Sequence, residues 1–389
     1  MTAVIDDSSN SPGTHALIIG VSAYDHLMGS SEGECSEQGS DSGLGQLSAA
    51  ARSASQFATW LMKDYRRKDF PLRSLRVLLS PATEDEVGEN LKGYLKEDSI
   101  PTRENVSTAF RKFKQAAARN PDNIAIVYVA GHGVQFTNTG AVLLLKDFAH
   151  PDHEEERYKG AVDIRAMHES MTYTNGARRQ FWFVDICRQR APDAKEFEEL
   201  AGVLKFNKVI NTGSSGATIC SPLFLAASSG EQAFAKPGKL TLFCEALMSA
   251  LVEGHAASSD GERSSPWLVS TSGLQMYLRD TVELLAACND EKQLIECSGI
   301  FSNEVFHECE KAPNVDLTIQ IKDGLPGAHY SAKLSHLGRV LYDNHTTWPL
   351  RDSIPAGIYK IEVTTLTTNE KDSDNLKLSP PSRIKELPL

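Results

Sequence analysis

Two apolar runs, each ending in a reactive side chain, constrain this chain more than any other feature. The first is Ile124-Ala-Ile-Val-Tyr-Val-Ala, followed by Gly131-His132-Gly133; the second is Phe181-Trp-Phe-Val, followed by Asp185-Ile-Cys187. Near-continuous apolar runs of this length read as strands buried on both faces, as in a parallel sheet covered by helices. In an open parallel sheet, ligands sit at the carboxyl ends of the strands. A histidine and a cysteine delivered to that edge can therefore meet although they lie far apart in sequence.

The surrounding sequence alternates strand and helix. His15 to Gly20 reads as a first central strand, and Leu75 to Leu79 as another. Helices are expected over Leu47 to Tyr65, from Pro101 through Arg119 with Thr102 as cap, near Ile164 to Met171, over Leu240 to Glu253, and over Ser270 to Ala287 behind a Ser/Thr cap. A hairpin is expected around Asn138-Thr139-Gly140 with Val142 to Leu145, and Leu223 to Ala227 reads as a further strand. Two stretches read as loops: Ser30 to Gly45, rich in Ser, Gly and Glu, as a mobile one, and Ala191 to Ser221 as a surface connection. The order βαβα predicts an α/β layer structure with a mostly parallel central sheet flanked by helices.

Beyond Pro313 the pattern changes to period two. Val315 to Ile321, Ala332 to Leu341 and Gly357 to Val363 alternate between turn residues, which predicts a small all-β sandwich of about five to seven strands. The polar stretch Leu366 to Leu389 is expected to be loose at its end. The expected division is a flexible amino terminus over 1–13, a peptidase-like domain over 14–255, a helical extension over 256–312 and the sandwich over 313–389.

Composition removes several classes of function. No apolar run approaches the roughly 18 to 20 residues needed to span a bilayer, and Met1 to Thr14 is polar and acidic, so a cytoplasmic protein without a membrane partner is expected. A formal charge of −11 disfavours a phosphate backbone as partner, so no nucleic acid is expected. Seven cysteines without CxxC spacing suggest neither a disulfide framework nor zinc; Cys220, Cys244 and Cys288 read as small buried side chains. The run of His150, Asp152, His153 and Glu154 to Glu156 reads as a solvated loop, and neither metal nor cofactor is expected. Trp267 reads as an anchor for the connection.

Amide hydrolysis by cysteine needs a nucleophilic sulfur, a proton donor for the departing amine, and N–H groups for the oxyanion. Cys187 is the candidate nucleophile, its thiolate favoured by the following Arg188, and His132 is the candidate acid/base. The N–H groups of Gly133 and Cys187 are the candidate oxyanion donors. Two rivals keep the same residues: a catalytically inactive scaffold that binds partners through the carboxyl-terminal β domain, and an acyl transferase or ligase working through the same thioester.

A cysteine with a histidine about 50 residues upstream resembles the arrangement in caspases. With HALIIGVSAYD, PTRENVSTAF, VYVAGHGVQF, FVDICR, LFLAASSGEQAF and LTLFCEALMSAL, residues 14 to 255 resemble the caspase and metacaspase group of cysteine peptidases, bacterial-type. The resemblance implies a caspase-like fold and a protein or peptide substrate. It also implies cleavage within the 190–221 linker as a route of activation, by the enzyme itself or by an activating protease, and a place in microbial defence or signalling with a signalling partner.

The chain departs from the pattern where specificity is set. No glycine follows Cys187-Arg188, the position two before the cysteine is Asp185, and the segment after Ser228 reads Ser-Gly-Glu-Gln-Ala-Phe-Ala without arginine. An acidic first pocket built on Asp185, with Asp25 and Ser228, would reject a carboxylate and accept a cation, so cleavage after Arg or Lys is expected. Asp185 as a structural carboxylate and Asp25 as a turn residue are the competing readings.

Overall fold

The computed structural model describes residues 3–31, 33–137, 139–172, 176–190, 202–206, 219–260, 265–322 and 329–388. The chain divides into two compact units: residues 1–248 with 278–304, and residues 249–277 with 305–389.

The first unit is built on strands β1 (Ala3–Asp6), β2 (Thr14–Val21), β3 (Leu72–Ser80), β4 (Ile124–Gly131), β5 (Gly133–Gln135), β6 (Val142–Leu144), β7 (Ala161–Asp163), β8 (Arg179–Ile186), β9 (Gln189–Arg190) and β10 (Ser221–Leu225). Its helices include α1 (Glu37–Asp41), α2 (Ala50–Lys63), α3 (Glu89–Lys92), α4 (Arg103–Ala117) and α5 (Ile164–Thr172). Further along the chain come α6 (Leu242–Val252), β11 (Ala257–Ser258), β12 (Trp267–Ser270), α7 (Thr271–Ala287), β13 (Glu296–Ile300) and β14 (Val305–Cys309).

A seven-stranded sheet runs β1-β3-β2-β4-β8-β10-β13. Its five inner strands pair in parallel, and β1 and β13 close the two edges antiparallel. Every residue of β2 and β4 is buried, which explains the unbroken apolar runs: such a strand is covered on both faces. On one face Phe110 and Phe113 of α4 share a core with Val127, Val129, Trp182 and Val184. On the other, Phe57 of α2 stacks on Tyr128 at 5.0 Å and meets Phe183 edge-on at 5.6 Å. Burying each such aromatic ring contributes about 1.5–3 kcal/mol, so α2 and α4 hold the sheet from opposite sides. Since side chains alternate along a strand, Asp185 belongs to the α2 face with Tyr128 and Phe183.

Caps fix the helices where the sequence places them. Thr102 Oγ1 accepts from Asn105 N at 3.4 Å, Thr241 Oγ1 from Cys244 N at 3.1 Å, and Ser270 Oγ from Gly273 N at 3.2 Å. β5 and β6 pair antiparallel as the expected hairpin requires, with Gly133 opposite Leu143, and Asn138 of its turn lies outside the described residues.

Several expectations need correction. Ser30 to Gly45 contains the short helix α1, started by Ser36 Oγ accepting from Gly39 N at 2.9 Å. The 256–312 stretch, read as helical, also carries β11 to β14, and β13 belongs to the central sheet. Cys288 is exposed, whereas Cys220 and Cys244 are buried.

In the second unit, sheets of β18 (Leu350–Pro355), β15 (Asn314–Lys322) and β21 (Ser382–Pro388), and of β17 (Arg339–His345), β16 (Tyr330–His336), β19 (Gly357–Thr365) and β20 (Lys371–Leu378), share one apolar core. Trp267 packs against that core. Ala332 to Leu341 is not one strand: Leu337 and Gly338, with φ of 51° and 81°, turn it into the β16/β17 hairpin. The carboxyl terminus is held as well, because β21 pairs in parallel with β15 from Asp316 opposite Ser382 to Lys322 opposite Pro388. Among the described residues no helix is long and apolar enough to cross a membrane.

Candidate active site

Strand register brings the two candidate residues to one sheet edge. β4 and β8 are parallel neighbours with Gly131 opposite Ile186, so His132 and Cys187 are the next residues at the same carboxyl edge. Both are half-buried. At Gly133 a Cβ would lie 2.4 Å from the Cys187 carbonyl oxygen and 2.7 Å from Ile186 Cβ, so only glycine lets the two chains approach this closely.

Gly133 is also oriented by its hairpin. Leu144 N donates to His132 O at 2.9 Å, and the alternation of an antiparallel ladder then turns the Gly133 N–H away from β6. On that other side β5 pairs with β9, whose first residue follows Cys187-Arg188 directly. Both candidate oxyanion amides thus sit where β4 and β8 end.

His132 is held at three points. Its N–H donates to Tyr24 Oη at 2.8 Å, its ring lies 5.1 Å from the Tyr24 ring, and Nε2 is 2.8 Å from the Gly45 carbonyl oxygen. A carbonyl only accepts, so Nε2 carries a proton, and in the neutral ring Nδ1 is left as the basic nitrogen. No residue pattern pointed to Gly45, because the orienting group is main chain on the segment that includes α1.

The electrostatics differ from the sequence expectation. Arg188 is fully buried, pairs with Glu296, and donates to Gly140 O at 3.2 Å and Ala227 O at 3.3 Å, so its charge does not act on the sulfur as expected. Burial pushes the Cys187 thiol up, partly offset by a hydrogen bond from the Ala233 backbone, and pushes His132 down. Both groups therefore rest neutral near pH 7. Sγ lies 3.4 Å from Ala233 N and 3.7 Å from Ala233 O, so backbone brackets the thiol.

The three proposed pocket residues lie in different settings. Asp185 is buried, and its Oδ2 accepts from Tyr128 Oη at 2.7 Å and from Thr241 Oγ1, while Oδ1 has no hydrogen-bond partner among the described residues. Burial raises Asp185 to about 6 against the lowering effect of those two donors. Asp25 pairs with Lys146 Nζ at 2.6 Å. Ser228 Oγ donates to Leu294 O at 3.0 Å, and among the described residues neither Asp25 nor Ser228 is hydrogen-bonded to Asp185. The expected linker lies mostly outside the described residues, at 191–201 and 207–218. Residues 151–156 form a short 3-10 turn, and among the described residues no three His, Cys, Asp or Glu side chains cluster as a metal site.

Comparison with known proteins adds the family. No curated protein matches the sequence. Among solved structures the chain is similar to caspase-1 from Spodoptera frugiperda, at 12% identity and a TM-score of 0.39 over 79% of this chain and 96% of that one, a likeness too distant to carry weight alone. The caspase-domain family model matches residues 14–264, well over half of the chain and all of the site from Asp25 to Thr241. With that match spanning both strand ends, the chain belongs to the caspase-domain family of cysteine peptidases.

Proposed function

We propose that this protein is a cysteine endopeptidase that hydrolyses protein substrates after Arg or Lys, with Cys187 as nucleophile and His132 as acid/base. The observation that carries the reading is the parallel register of Gly131 with Ile186, together with the Gly45 carbonyl on His132 Nε2.

From two neutral groups, the thiol proton passes to His132 Nδ1 as Sγ bonds to the scissile carbonyl carbon. The oxyanion is taken by the N–H groups of Gly133 and Cys187. His132 returns the proton to the departing amine as the C–N bond breaks, then accepts one from the water that attacks the thioester and gives it to Cys187 Sγ as the C–S bond breaks. Gly45 holds the ring in one orientation through both transfers.

Asp185 supports basic specificity. It stands two residues before the proposed nucleophile on the same strand face, about 6–7 Å along the strand, and among the described residues it pairs with no cation. Above about pH 6 it is ionised, and a substrate guanidinium or ammonium supplies the missing counter-charge. Cleavage within 190–221, a cytoplasmic location and a place in a bacterial defence or signalling pathway belong to the same proposal. Fluorogenic peptides with Arg, Lys, Asp or Ala at the position before the scissile bond test it. Arg and Lys are cleaved and Asp is not, and Cys187→Ala or His132→Ala lowers kcat by about 10³-fold or more. Preference for Asp sinks the specificity, and activity surviving in Cys187→Ala sinks the nucleophile.

A further inference from the structure

We infer that residues 292–296, which lie beyond the family-matched region, form a built-in strap that positions the loop bracketing Cys187, with Gln293 as its positioning residue. The inference rests on the cysteine-peptidase reading of the site.

The loop in question leaves β10 and runs over residues 226–234, ending beside the Ala233 backbone that meets Sγ. Its polar backbone groups must find partners. Some are local: Arg188 N donates to Glu231 O at 2.9 Å, Gly230 N to Arg188 O at 3.0 Å, and Glu231 N to Ser228 O at 3.0 Å. Several others go to the strap. Ser228 N donates to Leu294 O at 2.8 Å, and Ser228 Oγ to the same oxygen at 3.0 Å. Lys292 Nζ lies 3.2 Å from Glu231 Oε1, and Glu296 holds Arg188, the residue after the nucleophile.

Gln293 joins the two ends of the loop. Its Nε2 donates to Ala226 O at 2.9 Å and its Oε1 accepts from Phe234 N at 2.9 Å, and the residue is 1% exposed. One buried amide therefore fixes where the loop starts and where it ends, one residue past Ala233. An apolar side chain of similar size would leave a buried carbonyl and a buried N–H unpaired, at the two points that set the path of the loop. A loop released there retains the thiol but loses the wall against which a peptide is aligned.

The test uses the full-length protein with Gln293→Met and, separately, Lys292→Glu, an exposed charge reversal beside Glu231 that leaves the core untouched. Hydrogen exchange is followed in peptides covering 226–240, and inactivation of Cys187 is timed with an Arg-containing peptidyl electrophile and with iodoacetamide. In Gln293→Met, exchange there rises about tenfold and peptidyl inactivation slows about tenfold, while iodoacetamide alkylation changes less than about threefold. Lys292→Glu moves the first two in the same direction by about two- to threefold. A Gln293→Met protein that does not fold leaves the decision to Lys292→Glu. Exchange unchanged over 226–240 in the folded variants overturns the strap, as does equal slowing with both reagents. A wild-type protein that cleaves no peptide, yet whose loop loosens in these variants, would retire the peptidase reading and keep the strap.

Discussion

Asp185 and Asp25 both belong to strand-end segments of one sheet, and the protein treats the two carboxylates in opposite ways. Asp185 sits within β8, buried, with two neutral hydrogen-bond donors on one oxygen. Asp25 sits on the loop after β2, beside the Lys146 ammonium at 2.6 Å. A carboxylate already compensated by a fixed lysine has little left to offer an incoming cation. One held ionised by hydroxyls alone has its whole charge available. Under the proposed function, the difference points to the strand residue for specificity and to the other for loop anchoring.

The largest expected effect separates them directly. Asp185→Asn lowers kcat/KM for Arg peptides by about 10²-fold or more and leaves Ala peptides within about threefold; equal losses on both would break the comparison. In the wild type, KM for Arg peptides climbs as pH falls through about 6 and Asp185 becomes neutral, a limb absent with Ala peptides. Thr241→Val comes next. It removes a donor that favours the ionised form, so Arg peptides lose about tenfold in kcat/KM and that limb moves to higher pH. An unmoved limb would show that Thr241 only caps α6.

Stability sharpens the contrast with a smaller signal. The folded value of Asp185, about 6, lies above its ordinary 3.8, so the native state holds the extra proton between those values. Stability is then fully present below about 4 and declines as pH rises through 6. Asp185→Asn removes that decline, and its melting temperature relative to wild type rises between pH 4 and pH 8. Asp25→Asn is the smallest change: P1 selectivity stays within about twofold and the loop loses on the order of 1 kcal/mol with its ion pair, read by thermal denaturation.

The legible part of the molecule is the part whose side chains are dictated by burial. β2, β4 and β8 were visible because strands covered on both faces must be apolar throughout, and their ends marked His132 and Cys187. β13 was not visible. Glu296-Cys-Ser-Gly-Ile pairs on one side only and passes through Gly299 at φ 90°, so it carries neither alternation nor an apolar run. The strap was missed for a related reason, since Gln293 works through two main-chain partners that no spacing rule reveals. Arg188 looked like an exposed cation beside the thiol because sequence does not show which way a side chain turns past a strand end, and it turns into the core toward Glu296.

The contact between Gly45 O and His132 Nε2 also bears on how such a site withstands sequence drift. An orienting carboxylate can be erased by one codon change, whereas every residue type brings the same carbonyl. What must be inherited is the path of the chain from Tyr24 to Gly45, secured by Gln46, which accepts from Tyr24 N at 2.7 Å and donates to Tyr24 O at 3.2 Å and Met28 O at 3.1 Å. Insertions and deletions in that stretch, more than substitutions at position 45, are therefore the changes that would release the His132 ring from the orientation its proposed role needs.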